Sequence, residues 1–416
     1  MITCRRALAL SLACLSFGVA QARDDALLQA ARAEHGAVVQ TLKELVAIES
    51  GTMDLAGLAR IADAAEVRLK ALGMAVERRQ PGAGRADVLI GRLQGNGQRR
   101  IMLMAHLDTI YFPGTLASQP LREDGNRLYG PGIADDKGGV AVILHALALL
   151  QRQGWRDYAS LTVLLNGDEE SGSRGSGPVI AALAAEQDVV LSFEPTAATT
   201  TPQGEGVLLA AAGAGQVTLQ VKGRSAHAGA APQLGRNALV EAAHQMLKTA
   251  DVAKSVPGAQ LNWTMLSTGT VRNQIPESAS VGGDVRVTRH GADEQLLAAL
   301  RAKVAEGRLV PDTETTVSLS VGRPPFTGDA RTQALAERAR RIYAELDGRK
   351  LALHPIAGGA TDAGYASQSG KAAVLESLGL PGAGYHARDE YIELDTIVPR
   401  LYLAARMLMQ LGQTAP

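Results

Sequence analysis

Five apolar runs of strand length recur along the chain: Val88–Leu93, Ile101–Ala105, Leu161–Leu165, Val189–Phe193 and Ala372–Leu375. A strand with one wet face alternates apolar and polar residues; these runs do not alternate, so each must be covered on both faces. Helical periodicity surrounds them, at Asp24–Glu49 and Leu55–Leu72 before, Gly139–Gln151 between and Ile397–Leu411 after. Continuous apolar strands alternating with helices predict an α/β fold with a mostly parallel sheet.

The stretch from Gly213 to Phe326 has a different texture. Gln216–Val221 alternates as a strand, Asn237–Ala250 is helical, Asn262–Ser267 and Ala279–Thr288 read as strands, Ala292–Ala305 as a helix and Thr315–Val321 as a last strand. The order βαββαβ is that of the ferredoxin-like unit. Gly-rich Ala211–Gly215 and the Gly322–Gly328 stretch with Pro324-Pro325 look like hinges. At roughly 100–200 residues per domain, a 416-residue chain holds two or three domains. The expected plan is a catalytic domain over 23–212 and 327–416, interrupted by an inserted domain over 213–326.

Residues 1–22 read as an export signal, with Arg5-Arg6, the uncharged Ala7–Ala20 and a small-x-small site at Ala20-Gln21-Ala22. A periplasmic or secreted location follows, with no stable membrane anchor. Both cysteines, Cys4 and Cys14, fall in this segment, so the mature chain has neither disulfides, Cys-ligated metals nor a Cys nucleophile. Lys+Arg and Asp+Glu are 42 each; losing Arg5 and Arg6 leaves 40 − 42 = −2. That balance offers no electrostatic footprint for nucleic acid.

In open α/β sheets, sites form beyond the carboxyl ends of the strands. Ile101–Ala105 ends in His106-Leu107-Asp108, Leu161–Leu165 in Asp168-Glu169-Glu170, and Val189–Phe193 in Glu194; Ala372–Leu375 leads to Tyr385-His386. Asp135-Asp136-Lys137 precedes the helix at Gly139. Singly, each has a bland explanation: a structural histidine, a solvated turn, a helix cap. Together, histidines and carboxylates at one rim suit a divalent metal, zinc first because of the imidazoles.

These residues resemble the motifs of the co-catalytic dizinc exopeptidases, the family of aminoacylase, carnosinase-type dipeptidases and succinyl-diaminopimelate desuccinylase. The matching motifs are His106-x-Asp108, Gly130-x-Gly132-x-x-Asp135-x-Lys137-Gly138, Asp168-Glu169-Glu170 with Gly172-Ser173, Glu194-Pro195 and His386. Tyr129–Gly139, Ser225–Gly235, Gly358–Ala366 and Leu375–Tyr385 most closely resemble glutamate carboxypeptidases of the carboxypeptidase G type. The resemblance implies a zinc-peptidase catalytic domain with an inserted dimerisation or lid domain, and two Zn²⁺ per chain. Asp135 would bridge the ions, Glu170 and His386 completing one site, His106 and Glu194 the other. Two metals about 3.5–4 Å apart need such a shared anionic ligand. The resemblance also implies a cis peptide between Asp135 and Asp136.

Asp108, two residues beyond His106 on an extended chain, can fix the imidazole tautomer. Glu169, beside the ligand Glu170, is the candidate general base. By resemblance, His227 reaches an active site across a dimer interface and contacts the substrate or the oxyanion. Arg286 and Arg323 are candidate partners for substrate carboxylates, because guanidinium binds carboxylate bidentately. Backbone N–H groups of Gly358–Asp362, near Gly359 and Thr361, can hold a C-terminal carboxylate. His35, His145, His244, His290 and His354 lack such motifs, and Ser171 and Ser173 lack a nucleophile elbow.

The expected activity is hydrolysis of the amide before a C-terminal glutamate in a small peptide or N-acyl amino acid, by a homodimer. The same scaffold also suits a dipeptidase, aminopeptidase or N-acyl amino acid deacylase. A non-catalytic peptide-binding protein is the alternative from another class.

Overall fold

The computed structural model describes residues 23–413; the expected signal segment and both cysteines lie outside them. Six strands form the principal sheet, in the order Ala75–Arg79, Val88–Gln94, Ser160–Asn166, Arg100–His106, Val189–Ser192 and Ala373–Leu375. From Ser160–Asn166 onward the neighbours are parallel, and the first two strands join antiparallel.

The continuous apolar character of these strands has a direct cause. In Arg100–His106, Ile101, Leu103 and Ala105 face one hydrophobic core, while Met102 and Met104 face another. The first core is closed by Asp25–Val46, Leu55–Ala71, Lys137–Arg152 and Ile397–Gly412, the second by Ser176–Ala184 and Ala363–Ser367. Helix starts are capped as the sequence allows: Asp24, Asp54 and Asp136 accept N–H bonds from Leu27, Gly57 and Gly139.

Between them lies a four-stranded antiparallel sheet in the order Ala259–Thr268, Ser278–Val287, Gly213–Lys222, Glu314–Arg323. Helices Ala238–Thr249 and Ala292–Ala305 supply residues to the core that covers one face of it. The element order is βαββαβ. Its core, including Val217, Leu219, Val281, Val285, Leu296 and Leu300, is separate from the other two. The two crossing segments run side by side, Ala210–Ala211 pairing with Phe326–Thr327.

The sequence did not announce a further, five-stranded sheet. Arg122–Asp124, Arg127–Tyr129, Tyr391–Glu393, Pro381–Ala383 and Thr196–Ala197 pair in that order. This sheet brings the loop before Asp135 beside the loop that carries His386.

Candidate metal and catalytic site

His106 is the last residue of its strand, and its backbone N–H donates to Asp136 Oδ2 at 3.2 Å. His106 Nε2 lies 3.0 Å from Asp135 Oδ1 and 3.8 Å from Glu194 Oε2. His386 Nε2 lies 3.1 Å from Glu170 Oε2 and 3.5 Å from Asp135 Oδ2. His106, Asp135 and Glu194 thus form one group of donors and Asp135, Glu170 and His386 another, each within 4.8 Å. The two groups share Asp135, which turns one oxygen to each. Tetrahedral ligands at about 2.0–2.1 Å from zinc stand about 3.3 Å from one another, so this donor set fits that ion. The Asp135–Asp136 peptide is cis, and His386 sits at φ 61°, in the left-handed region.

His106 Nδ1 lies 3.0 Å from the Asp108 carbonyl oxygen and 3.3 Å from its carboxylate, so Nδ1 carries the proton and Nε2 faces the donors. The Asp108 carboxylate also accepts the N–H groups of Glu169 at 3.1 Å and Glu170 at 3.0 Å, and the Thr52 hydroxyl. It therefore locks the turn bearing Glu169 and Glu170 to the strand end bearing His106.

The charge balance explains the titration of these groups. Burial opposes a charge on His106, but Glu194, Asp108 and Asp135 outweigh it and hold its pKa well above the usual value. Hydrogen bonds to Asp135 and Glu170 raise His386 to about 10. Burial pushes Glu194 and Glu169 upward. Asp135 is held below the carboxylate range by both histidines, against its burial. Excess buried negative charge of this kind is what a pair of divalent cations neutralises.

Glu169 belongs to neither donor group. Its carboxylate lies 2.6 Å from Arg323 Nη1, and both side chains are only 8% exposed. Arg323 also donates to the carbonyls of Glu169 and Ala360, and its Nε lies 3.9 Å from Asp362. Asp362 in turn accepts from Asn166 and Ser173. Arg323 ends a strand of the inserted sheet, so a side chain from that unit reaches the floor of the site. Arg286 does not: it is paired with Asp284 at 3.0 and 3.2 Å on the inserted sheet. Gly359 is exposed, with open space where a Cβ would point, and Thr361 is half-buried. His227 is exposed, and its Nδ1 accepts from the N–H groups of Gly229 at 3.2 Å and Ala230 at 3.0 Å.

Sequence reasoning missed Asp362 as a charge partner, although it closes the Gly358–Asp362 motif. It also missed Thr52, which carries no signal of its own.

The profile described as peptidase family M20/M25/M40 matches residues 102–410. Carboxypeptidase G2 of Pseudomonas sp. (strain RS-16) is 44% identical over 396 residues, covering 95% of this chain and 94% of that protein. Succinyl-diaminopimelate desuccinylase of Gluconobacter oxydans is 33% identical over 341 residues, covering 77% and 85%. Among solved structures, aminopeptidase PepT of Bacillus cereus superposes with a TM-score of 0.75 at 22% identity, covering 91% of this chain and 99% of that one.

Proposed function

The chain belongs to peptidase family M20/M25/M40 and is a hydrolytic enzyme, and from that premise we propose that it is a dizinc carboxypeptidase cleaving the amide before a C-terminal glutamate. The observation that carries the reading is two donor groups sharing Asp135, with a buried carboxylate, Glu169, beside them in neither group. His106, Asp135 and Glu194 would hold one ion, and Asp135, Glu170 and His386 the other. Two zinc ions, when bound, polarise the scissile carbonyl and lower the pKa of water toward neutrality.

The protein's own groups do the rest. Glu169 takes the proton of the attacking water and returns it to the departing amine. Its two environments suit both halves: burial favours the protonated form and Arg323 the ionised one. Asp108 keeps the His106 tautomer and the Glu169–Glu170 turn in register. His227 accepts two N–H bonds at Nδ1, which leaves its ring proton on Nε2 as a donor to a carbonyl oxygen.

That donor would act in trans in a homodimer. The strand Ala259–Thr268 is an edge, with Met265 72% exposed, and the helix Ala238–Thr249 exposes Leu247 at 74%. An unpaired edge beside an apolar helix face is a surface that pairing with a second copy would cover. Residues 1–22 support export to the periplasm or beyond, and among the described residues no helix is long and apolar enough to cross a membrane.

Similarity to carboxypeptidase G2 and the buried guanidinium of Arg323 beside the donor groups support an acidic C-terminal residue. A site that pairs a buried cation with a substrate carboxylate rejects analogues lacking it. The test is kcat/KM on N-acyl amino acids differing only in the C-terminal residue. Glu or Asp should exceed Leu by at least about tenfold; equal values for Glu, Ala and Leu would remove the glutamate assignment and leave a broader exopeptidase or deacylase.

A further inference from the structure

The loop Gly130–Asp135 turns its backbone N–H groups onto a single side chain. Glu390 Oε1 accepts from Ala134 at 2.9 Å and Asp135 at 3.0 Å, and Oε2 from Gly132 at 2.9 Å. The Tyr111 hydroxyl stands 2.7 Å from the same Oε2, and the Glu390 carbonyl accepts the Gly130 N–H at 3.1 Å. Glu390 is 2% exposed and stands one residue before Tyr391–Glu393, the strand that pairs with Arg127–Tyr129 and so brings it opposite the loop. Gly132 has φ 68°, and a Cβ there would lie 2.2 Å from Thr109 Cγ2, so this concave path requires glycine. Converging N–H groups of this kind form an anion-binding nest. Here the anion is the protein's own carboxylate.

The same carboxylate reaches the other donors through Tyr111, three residues beyond Asp108. The Tyr111 hydroxyl also lies 2.7 Å from the carbonyl of Ala387, the neighbour of His386. Glu390 thus touches the peptide of the shared donor and, by one intermediary, the loops bearing His106 and His386.

We infer that Glu390 is a positioning residue for the two-metal centre, setting how Asp135 divides its oxygens between the two donor groups. The inference rests on the metal assignment proposed above. Glu390 lies in neither group, so its loss changes the placement of Asp135 without removing a ligand. The effect would fall on the second ion to bind, since that step would require Asp135 to serve both donor groups at once.

The test is zinc uptake by metal-free full-length protein, measured by competition with a chromophoric chelator. Glu390→Gln keeps the volume but turns an NH₂ group against a donor. It should bind the second zinc about 10–100-fold more weakly than the wild type. The metal-free variant should melt somewhat lower, because a buried N–H loses its acceptor, but hydrolysis should recover at saturating zinc, a rescue that a merely structural role does not give. Equal affinity at both steps in a folded variant overturns the inference. A wild-type chain that takes up no zinc overturns the metal assignment instead. If Glu390→Gln does not fold, Tyr111→Phe decides: it removes only the hydroxyl and should weaken the second zinc in the same sense, and unchanged affinity there overturns the inference.

Discussion

Replacing Glu169 by glutamine separates its proposed proton-transfer role from every other role at the site. Glu169 lies outside both donor groups, so metal content should stay at the wild-type value. Its charge is opposed by Arg323 at 2.6 Å, and removing one member of a buried pair costs about 3–5 kcal/mol when nothing replaces it. Glutamine replaces much of it. Its carbonyl oxygen can accept from Arg323 Nη1, the backbone carbonyls of residue 169 and Ala360 are unchanged, and Asp362 still faces Nε at 3.9 Å. The variant should therefore fold, with a loss below that range. Catalysis should not survive: a missing general base costs about 10²–10⁴ in kcat, which is about 2.7–5.4 kcal/mol on the barrier at 1.36 kcal/mol per decade. The assay pairs elemental analysis with steady-state kinetics on an N-acyl glutamate. A kcat within about tenfold of wild type, at full metal content, would refute the role of Glu169.

Zinc loading should release protons. Hydrogen bonds to Asp135 and Glu170 keep His386 protonated up to about pH 10 in the metal-free protein, and the ion must displace that proton. Titration calorimetry at pH 8 in buffers of different ionisation enthalpy should report about one proton or more per chain, and a slope of zero contradicts the reading. Because the His386 pKa is raised, the stability it gives the metal-free protein is complete below about pH 6.5 and lost as pH climbs through about 10. Leu247→Glu with Met265→Glu should yield a monomer by light scattering with little activity, and a fully active monomer at nanomolar concentration would remove the trans role of His227. Arg323→Lys should lower kcat as well as raise KM for a glutamate substrate, since it disturbs Glu169, whereas Arg286→Ala, which removes a group already paired with Asp284 on the inserted sheet, should change both much less; equal losses from the two would place Arg286 at the site as well.

The principal sheet was legible because its strands are buried on both sides and therefore apolar throughout. The inserted sheet was legible through the opposite pattern, one face covered and one wet, as in Ser278–Val287. The five-stranded sheet was not, because strands of two or three residues such as Thr196–Ala197 and Pro381–Ala383 carry no periodicity. Ala75–Arg79 escaped notice for another reason: an edge strand with the sequence AVERR looks like a solvated segment.

In the site, legibility followed chemistry. His106, Asp135, Glu170, Glu194 and His386 stand out because metal ligation needs particular residue types at strand and loop ends. Glu390 does not, because accepting backbone N–H bonds asks only for a carboxylate, and its donors lie 255 to 258 residues away. Arg323 falls between these cases. Its guanidinium marked it as a carboxylate partner, but the carboxylates it meets here are Glu169 and Asp362, brought to it by the fold. The consequence reaches function. Arg323 ends a strand of the inserted sheet, while Glu169 belongs to the turn after a strand of the principal one. A substrate carboxylate placed on Arg323 would share the guanidinium with Glu169. One arginine would then both select the acid and set the charge balance of Glu169, so the position of the inserted unit and the ionisation of Glu169 would not vary independently.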